Sequence, residues 1–299
     1  MLDRASTFSQ PEIVALLRSD FVPVAIDQAY QRRQQDAEGD FYRKIANQGP
    51  RPADGGTTQG RYVAESDGTL LGYNNNRDSE RLLRLMRESL ARPRPEGVAA
   101  LEAGKKDARF SPAPPADGLV VRVHSLVLGG YPETEDPWLK IFQEGMGRDN
   151  LWIRGDEHEA LRGGELHDSL VVRLARFHLV DNTRGEPPMW KTDEIRERSL
   201  EFRDGRLSGR IHIVAADGSR EFRADLLGFV ESDGEGGPVT RFDLVAKGSF
   251  RGESRLTRNA LPGEFPFAVS FRLADGSDPA DSIPPQGSRG WIDGYLRDQ

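Results

Sequence analysis

Regularly spaced Asp-Gly pairs divide the second half of the chain into short segments rich in β-branched and aromatic residues. The segments alternate in part between apolar and polar positions, which is the pattern of a half-buried strand. An Asp-Gly pair between two such segments predicts a tight hairpin, because both residues readily take a positive φ. From residue 119 onwards the sequence therefore predicts a mainly antiparallel β domain, either a sandwich or an open barrel. The pairs are Asp204-Gly205, Asp217-Gly218, Asp233-Gly234 and Asp275-Gly276.

The region before the first of these pairs has a mixed pattern. Residues 119–130 and 169–182 are rich in Val and Leu and predict strands. Residues 136–147 and 156–164 predict short helices beside the sheet.

The first part of the chain alternates between helical and strand patterns. Residues 9–12, Ser-Gln-Pro-Glu, predict a helix start with a capping box and a proline in the first turn. The run Phe21–Ile26 is apolar at every position and predicts a strand buried on both faces. Residues 36–47 predict a helix, and residues 60–73 predict a hairpin around Asp67-Gly68. A further helix, capped by Asp78 or Ser79, is expected to carry the apolar residues between Leu82 and Leu90.

This order of helix, strand, helix, hairpin and helix resembles the thioredoxin fold after its first strand. The residues that carry the resemblance are Met1–Phe8, Glu12–Val14 and Phe21–Asp27, and the likeness extends over about residues 1–91. It implies a truncated thioredoxin-like α/β domain at the start of the chain. The C-terminal part resembles no family that these motifs identify.

Two landmarks of thioredoxin chemistry are missing. The resemblance places a cysteine pair just upstream of Met1, and it places about Gln59 at the position of the cis-proline. The chain has no cysteine, which excludes thiol–disulfide exchange, a thiolate nucleophile, cysteine-ligated zinc and iron–sulfur clusters. The scaffold is therefore expected without the activity. Because the central strand is missing too, either another segment fills its place or the true start lies upstream.

Residues 91–118 are rich in Pro, Gly, Ala and charged residues, which is typical of a linker, with one helical turn expected near residues 98–103. The predicted organisation is α+β and multidomain: a thioredoxin-like domain over 1–92, a linker over 93–118 and a β-rich domain over 119–299.

Charge and hydropathy exclude two classes of partner. Residues 1–95 carry 14 Arg and Lys against 13 Asp and Glu, whereas the remainder carries 27 against 35. An acidic C-terminal part argues against nucleic acid as a partner. The sequence contains no run of about 18 apolar residues, so no membrane span is predicted. A cytoplasmic location is the default, with export expected if the true N-terminus lies upstream.

The triplet Arg-x-His occurs three times in predicted strands and supplies His124, His178 and His212. If the three strands are neighbours, the imidazoles could converge on a divalent metal such as zinc. The alternative is that these residues lie on a solvated sheet face, with each arginine paired to a carboxylate.

A polar segment follows the second of these histidines. Arg184 could bind a carboxylate or a phosphate, and Asp181 or Glu186 could act as a general base. The alternative is a strand-exit turn in which Asp and Asn cap their own backbone. No nucleotide-binding glycine motif and no G-x-S-x-G motif is present, so no nucleotide cofactor is expected.

Three functions remain open. The first is a non-catalytic binding or interaction protein, with the N-terminal domain as an adaptor and the β domain holding a protein partner or small ligand. The second is a metal-dependent enzyme in the β domain. The third is a thioredoxin-related oxidoreductase whose Cys-x-x-Cys segment is missing from this chain.

Overall fold

The computed structural model describes residues 2–93, 97, 102, 104–234 and 236–297. The chain divides into two compact units, Ser6–Ala113 and a second unit formed by Met1–Ala5 with Pro114–Gln299. The short helix α1 (Leu2–Ala5) therefore belongs to the unit that contains the C-terminal part. Apart from residue 102, the helical turn expected near 98–103 lies outside the described residues.

The N-terminal unit consists of helices and one hairpin. Two of its helices begin where the sequence predicts, because Asp36 and Asp78 accept hydrogen bonds from backbone N–H groups of the first turn. After a 3₁₀ turn at Thr7–Ser9, the elements are α2 (Pro11–Ser19), α3 (Gln28–Gln31), α4 (Ala37–Ala46), β1 (Arg61–Ala64), β2 (Leu70–Asn74) and α5 (Ser79–Leu90).

The core of this unit lies between α2 and α5. Ile13 of α2 is buried against Leu82, Leu83 and Met86 of α5, and Phe21 packs at the margin of this cluster. The spacing of the three α5 residues puts them on one face of the helix. β1 and β2 pair only with each other among the described residues, so they form a two-stranded antiparallel sheet.

The strand predicted over Phe21–Ile26 is wrong. This segment has neither helix nor strand, and Val22 and Val24 are 89% and 73% exposed. The apolar composition favours a buried strand, but a strand exists only where a neighbour supplies hydrogen-bonding partners. No described segment of the chain lies alongside it as such a neighbour.

The C-terminal unit is built on one seven-stranded antiparallel sheet, which confirms the predicted α+β class with a β-rich part. The strands lie in the order β4-β3-β9-β8-β7-β6-β5, so the sheet is open, with β4 and β5 at its edges. The strands are β3 (Leu119–Val127), β4 (Met146–Ile153), β5 (Ile195–Arg203), β6 (Arg206–Val214), β7 (Arg220–Ser232), β8 (Val239–Gly252) and β9 (Glu264–Leu273).

One face of this sheet is buried and the other is solvated. Along β7 the residues alternate between buried and exposed, with Phe222 and Leu226 inward and Arg223 and Leu227 outward. Helices and turns complete the C-terminal unit. They are α6 (Pro137–Glu144), α7 (Gly155–Arg162), α8 (Asp168–Arg173), a π-helical turn (Leu174–His178), 3₁₀ turns at Thr192–Glu194, Pro279–Ser282 and Gln286–Ser288, and α9 (Ile292–Leu296).

The strand predicted over residues 169–182 is also wrong, because this stretch contains most of α8 and the whole π-helical turn. Nearly every residue from Ser169 to His178 is buried, so the stretch is enclosed on all sides. Such a run fits a buried strand and a buried helix equally well by periodicity. Contacts with the inner face of the sheet decide in favour of the helix.

Residues 146 and 147, predicted as the end of a helix, instead begin β4. β4 pairs with β3 over its whole length, from Met146 opposite Leu126 to Ile153 opposite Leu119. Its start, Met-Gly-Arg-Asp-Asn, shows no alternation of apolar and polar residues, so the local pattern does not reveal a strand.

Candidate functional site

The three histidines proposed as metal ligands lie on different faces and strands. His124 is on β3 and His212 on β6, both at outward positions. Three strands lie between them in the sheet, a separation of roughly 19 Å at the usual strand spacing. His178 lies on the inner side, in the π-helical turn. The structure therefore does not bring the three imidazoles together.

The outward histidine on β6 has a carboxylate partner. His212 Nε2 lies 2.9 Å from Glu221 Oε1 on β7. Glu221 also accepts hydrogen bonds from Arg251 and Arg223, and these bonds lower the pKa of its carboxyl to about 2. This is the solvated-face arrangement that the sequence offered as the alternative to a metal site. Among the described residues, no group of three or more His, Asp or Glu side chains has a metal-binding arrangement.

His178 belongs to a buried polar chain that sequence reasoning did not find. Its Nδ1 lies 3.1 Å from Asp149 Oδ2 of β4, and its Nε2 lies 2.6 Å from the hydroxyl of Tyr295 in α9. That hydroxyl accepts a hydrogen bond from the backbone N–H of Trp152 and shares a second hydrogen bond with His178 Nε2.

A buried ion pair lies next to these hydrogen-bonded side chains. Arg173 of α8 bonds to Glu157 of α7, and the side chains of both residues are fully buried. Ser169 donates a further hydrogen bond of 2.7 Å to Glu157. The Arg173 guanidinium lies 5.7 Å from the centre of the Tyr295 ring, where the ring face attracts a cation.

Asp149, His178 and Tyr295 are residue types that carry acid–base chemistry, but they are closed off here. His178 and Tyr295 are 2% and 1% exposed, and burial raises the pKa of the Tyr295 hydroxyl well above its usual range. A general acid or base must come within hydrogen-bond reach of a substrate. The contacts among Asp149, His178 and Tyr295 instead connect α9 to the π-helical turn and to β4.

The polar loop after the π-helical turn is likewise internal. Asp181 and Arg184 are 1% and 4% exposed and bond to each other, with Arg184 Nε 3.0 Å from Asp181 Oδ2. The other oxygen of Asp181 accepts from the backbone and hydroxyl of Thr183, and Arg184 Nη1 donates to the Thr257 carbonyl. Glu186 is exposed and joins none of these bonds. The three candidate catalytic residues therefore do not form one accessible site.

Three exposed apolar side chains lie next to one another on the outer face of the sheet. Leu227 of β7 lies opposite Val245 of β8, and Phe229 lies two residues further along β7 on the same face. Their exposed fractions are 47%, 42% and 41%. Arg241 covers the ring of Phe229, with its guanidinium carbon 5.3 Å from the ring centre.

Three cations border this apolar group. Arg206 lies opposite Phe229, Lys247 follows Val245 by two residues, and Arg272 lies opposite Asp243 on the same face. All three are exposed, and none forms an ion pair with a residue that the structure describes. We call this group the outer-face patch; it consists of Arg206, Leu227, Phe229, Val245, Lys247 and Arg272.

A shallow groove of 250 Å³ continues the patch towards β5 and β6. Lys247 belongs to both, and the groove is also lined by Arg210, His212 and Arg223. Arg210 and Arg223 each bond to a carboxylate, Asp225 and Glu221. The cation at the junction of groove and patch is therefore Lys247.

No protein-family model, curated protein or solved structure matches this chain. In the described part of the chain, no helix combines the length and the apolar character that crossing a membrane requires.

Proposed function

We propose that this chain is a non-catalytic binding protein whose C-terminal unit holds a protein partner on the outer-face patch. The observation that carries the proposal is the side-by-side exposure of Leu227, Phe229 and Val245 beside three cations without ion pairs. Water is displaced favourably from adjacent apolar side chains when a partner covers them.

The charges define the chemistry of the partner. Arg206, Lys247 and Arg272 are outward cations around an apolar centre. A complementary surface carries apolar side chains in its middle and carboxylates at its rim, because buried apolar contacts supply affinity and rim charges supply orientation. The partner class is therefore a protein segment rich in both apolar and acidic residues.

The N-terminal unit is proposed as an adaptor on a cysteine-less thioredoxin-like scaffold. The succession of α2, α4, the β1–β2 hairpin and α5 supports this assignment, while the strand expected at Phe21–Ile26 is absent from the described structure. Thiol chemistry is not available to it, since the chain contains no cysteine.

A catalytic role for the C-terminal unit has less support than binding, because Asp181 and Arg184 are buried and bonded to each other.

The test is a selection from a displayed library of random 12-residue peptides against the full chain. We expect the selected peptides to be rich in Asp, Glu and apolar residues, and we expect their binding to weaken at least tenfold in the double variant Val245→Glu, Lys247→Glu. Reversing the charge at Lys140 on α6 serves as the control and should leave binding unchanged. Peptides without that bias, or equal binding by the double variant, would contradict the proposal.

A further inference from the structure

The segment Phe21–Ile26 carries backbone hydrogen-bonding groups that no described part of the chain uses. None of its backbone N–H or C=O groups has a partner among the described residues. Phe21 anchors the segment at the α2–α5 core, while Val22, Val24 and Ile26 are 89%, 73% and 44% exposed. Unpaired backbone groups together with exposed β-branched side chains are typical of an edge strand that has no neighbouring strand.

Pro23 restricts such a strand to one neighbour. Along a strand, successive residues direct their N–H and C=O groups to opposite edges. Phe21, Pro23 and Ala25 share one edge, and the proline has no N–H to donate there. The other edge belongs to Val22, Val24 and Ile26, and all three of these residues retain both groups. Only this second edge supports a continuous ladder.

The complete edge is complementary to itself. In an antiparallel pair of two copies centred on Val24, this residue lies opposite its counterpart, and Val22 lies opposite Ile26 of the other copy. These three pairs are all of the hydrogen-bonded type, in which each pair exchanges two bonds. Pro23 then lies opposite Ala25 at a position where no bond is made. The two-fold symmetry of the arrangement is that of an isologous dimer.

The flanking charges allow this register. Asp27 would lie opposite Phe21, so no like charges face each other directly within the paired segment. The Asp27 side chain already caps α3 by accepting from the Ala29 N–H. Like charges directly opposite each other would destabilise the pair.

We infer that Phe21–Ile26 is a self-association strand that binds the same segment of a second copy of this chain. The pairing gives the unpaired groups their partners and covers the exposed valines. It is independent of the outer-face patch, which lies in the other unit and has a different partner.

Cysteine crosslinking tests the register, because the natural chain contributes no thiol of its own. Opposed residues of a hydrogen-bonded pair have Cα atoms about 5.5 Å apart, within the range of a disulfide. The variant Val24→Cys should therefore form a covalent dimer under mild oxidation. In Ala25→Cys the two thiols are on diagonal positions about 8 Å apart, beyond that range, and crosslinking should be at least tenfold slower. Equal crosslinking of the two variants would overturn the register.

Sedimentation analysis of the full chain over a range of concentrations tests the association itself. The variant Val24→Pro removes the central donor and should raise the dimer dissociation constant about tenfold or more. Pro23→Ala changes only the other edge and should leave the dimer intact. Circular dichroism establishes that both variants are folded. A monomer at all concentrations up to about 100 µM, or a dimer that Val24→Pro does not weaken, would refute the inference.

Discussion

Asp181 and Arg184 place two opposite charges in the interior of the C-terminal unit. Their mutual bonds, with those to Thr183 and the Thr257 carbonyl, satisfy most of their hydrogen-bonding capacity. A buried pair of this kind contributes little net stability as a pair, but removal of one partner leaves an uncompensated charge.

We therefore predict that Arg184→Met destabilises the C-terminal unit by about 3–5 kcal/mol. Urea unfolding followed by tryptophan fluorescence measures this, since all four tryptophans belong to that unit. Glu186→Gln, at the exposed end of the same loop, should change stability by less than about 0.5 kcal/mol. Similar effects for the two variants would argue against the structural role of the pair.

The hydroxyl of Tyr295 makes a second set of hydrogen bonds in the interior of the C-terminal unit. Its hydroxyl bonds to His178 and to the backbone of Trp152. We predict that Tyr295→Phe lowers the free energy of unfolding by about 1–3 kcal/mol, because two buried groups lose their partner while the ring remains. The same fluorescence-detected unfolding checks it, and an unchanged midpoint would show that the hydroxyl contributes nothing.

At the scale of the element, the pairing of β5 with β6 depends on a residue without a side chain. A Cβ atom on Gly209 would lie 1.5 Å from the carbonyl oxygen of Ser199 on β5. We predict that Gly209→Ala forces the two strands apart and costs about 1–3 kcal/mol. Ser208→Ala on the same strand is the matched control and should be nearly neutral. Thermal unfolding of the two variants, followed by circular dichroism, measures the difference.

The outward ion-pair cluster on β6–β8 predicts a defined pH dependence. Bonds from Arg251 and Arg223 lower the pKa of Glu221 from its ordinary value of 4.5 to about 2. A carboxyl with a depressed pKa stabilises the fold above its unfolded-state pKa, and this contribution is lost as the pH falls through the folded-state value.

The difference in melting temperature between the wild-type chain and Glu221→Gln should therefore shrink as the pH falls from 4.5 to about 2. A difference that persists undiminished at pH 2 would contradict the assignment of this carboxylate as the stabilising charge.

At the scale of the whole molecule, the candidate metal ligands are spread over two faces of one sheet. We predict that the purified chain binds no stoichiometric zinc after dialysis, because His124, His178 and His212 share no common point among the described residues. Elemental analysis by mass spectrometry checks this. Zinc at one ion per chain that disappears in His212→Ala would restore the metal hypothesis.

Local patterns were sufficient for much of the secondary structure. Asp78 caps a helix as predicted, and the Asp-Gly pair at 204–205 joins β5 to β6. Ser9 is an exception: it donates to the Ser6 carbonyl, and α2 begins after Gln10 instead. Helix caps and tight turns depend on about four consecutive residues, so they can be predicted from the local sequence.

The buried polar chain could not be predicted in the same way. Asp149, His178 and Tyr295 come from β4, the π-helical turn and α9, and no spacing relates them in the sequence. A weak signal existed in the clustering of polar residues within apolar surroundings at 173–184, but the partners of that cluster are remote.

Composition and short-range order alone thus established a cysteine-free chain with a hairpin-built, antiparallel C-terminal part. Tertiary contacts decided the rest: whether the apolar run at 169–178 became helix, whether Phe21–Ile26 found a neighbour, and whether the charges at 181 and 184 were open to solvent. The physical reason is that backbone pairing and desolvation depend on segments far apart in the chain, whereas turns and caps depend only on the nearest residues.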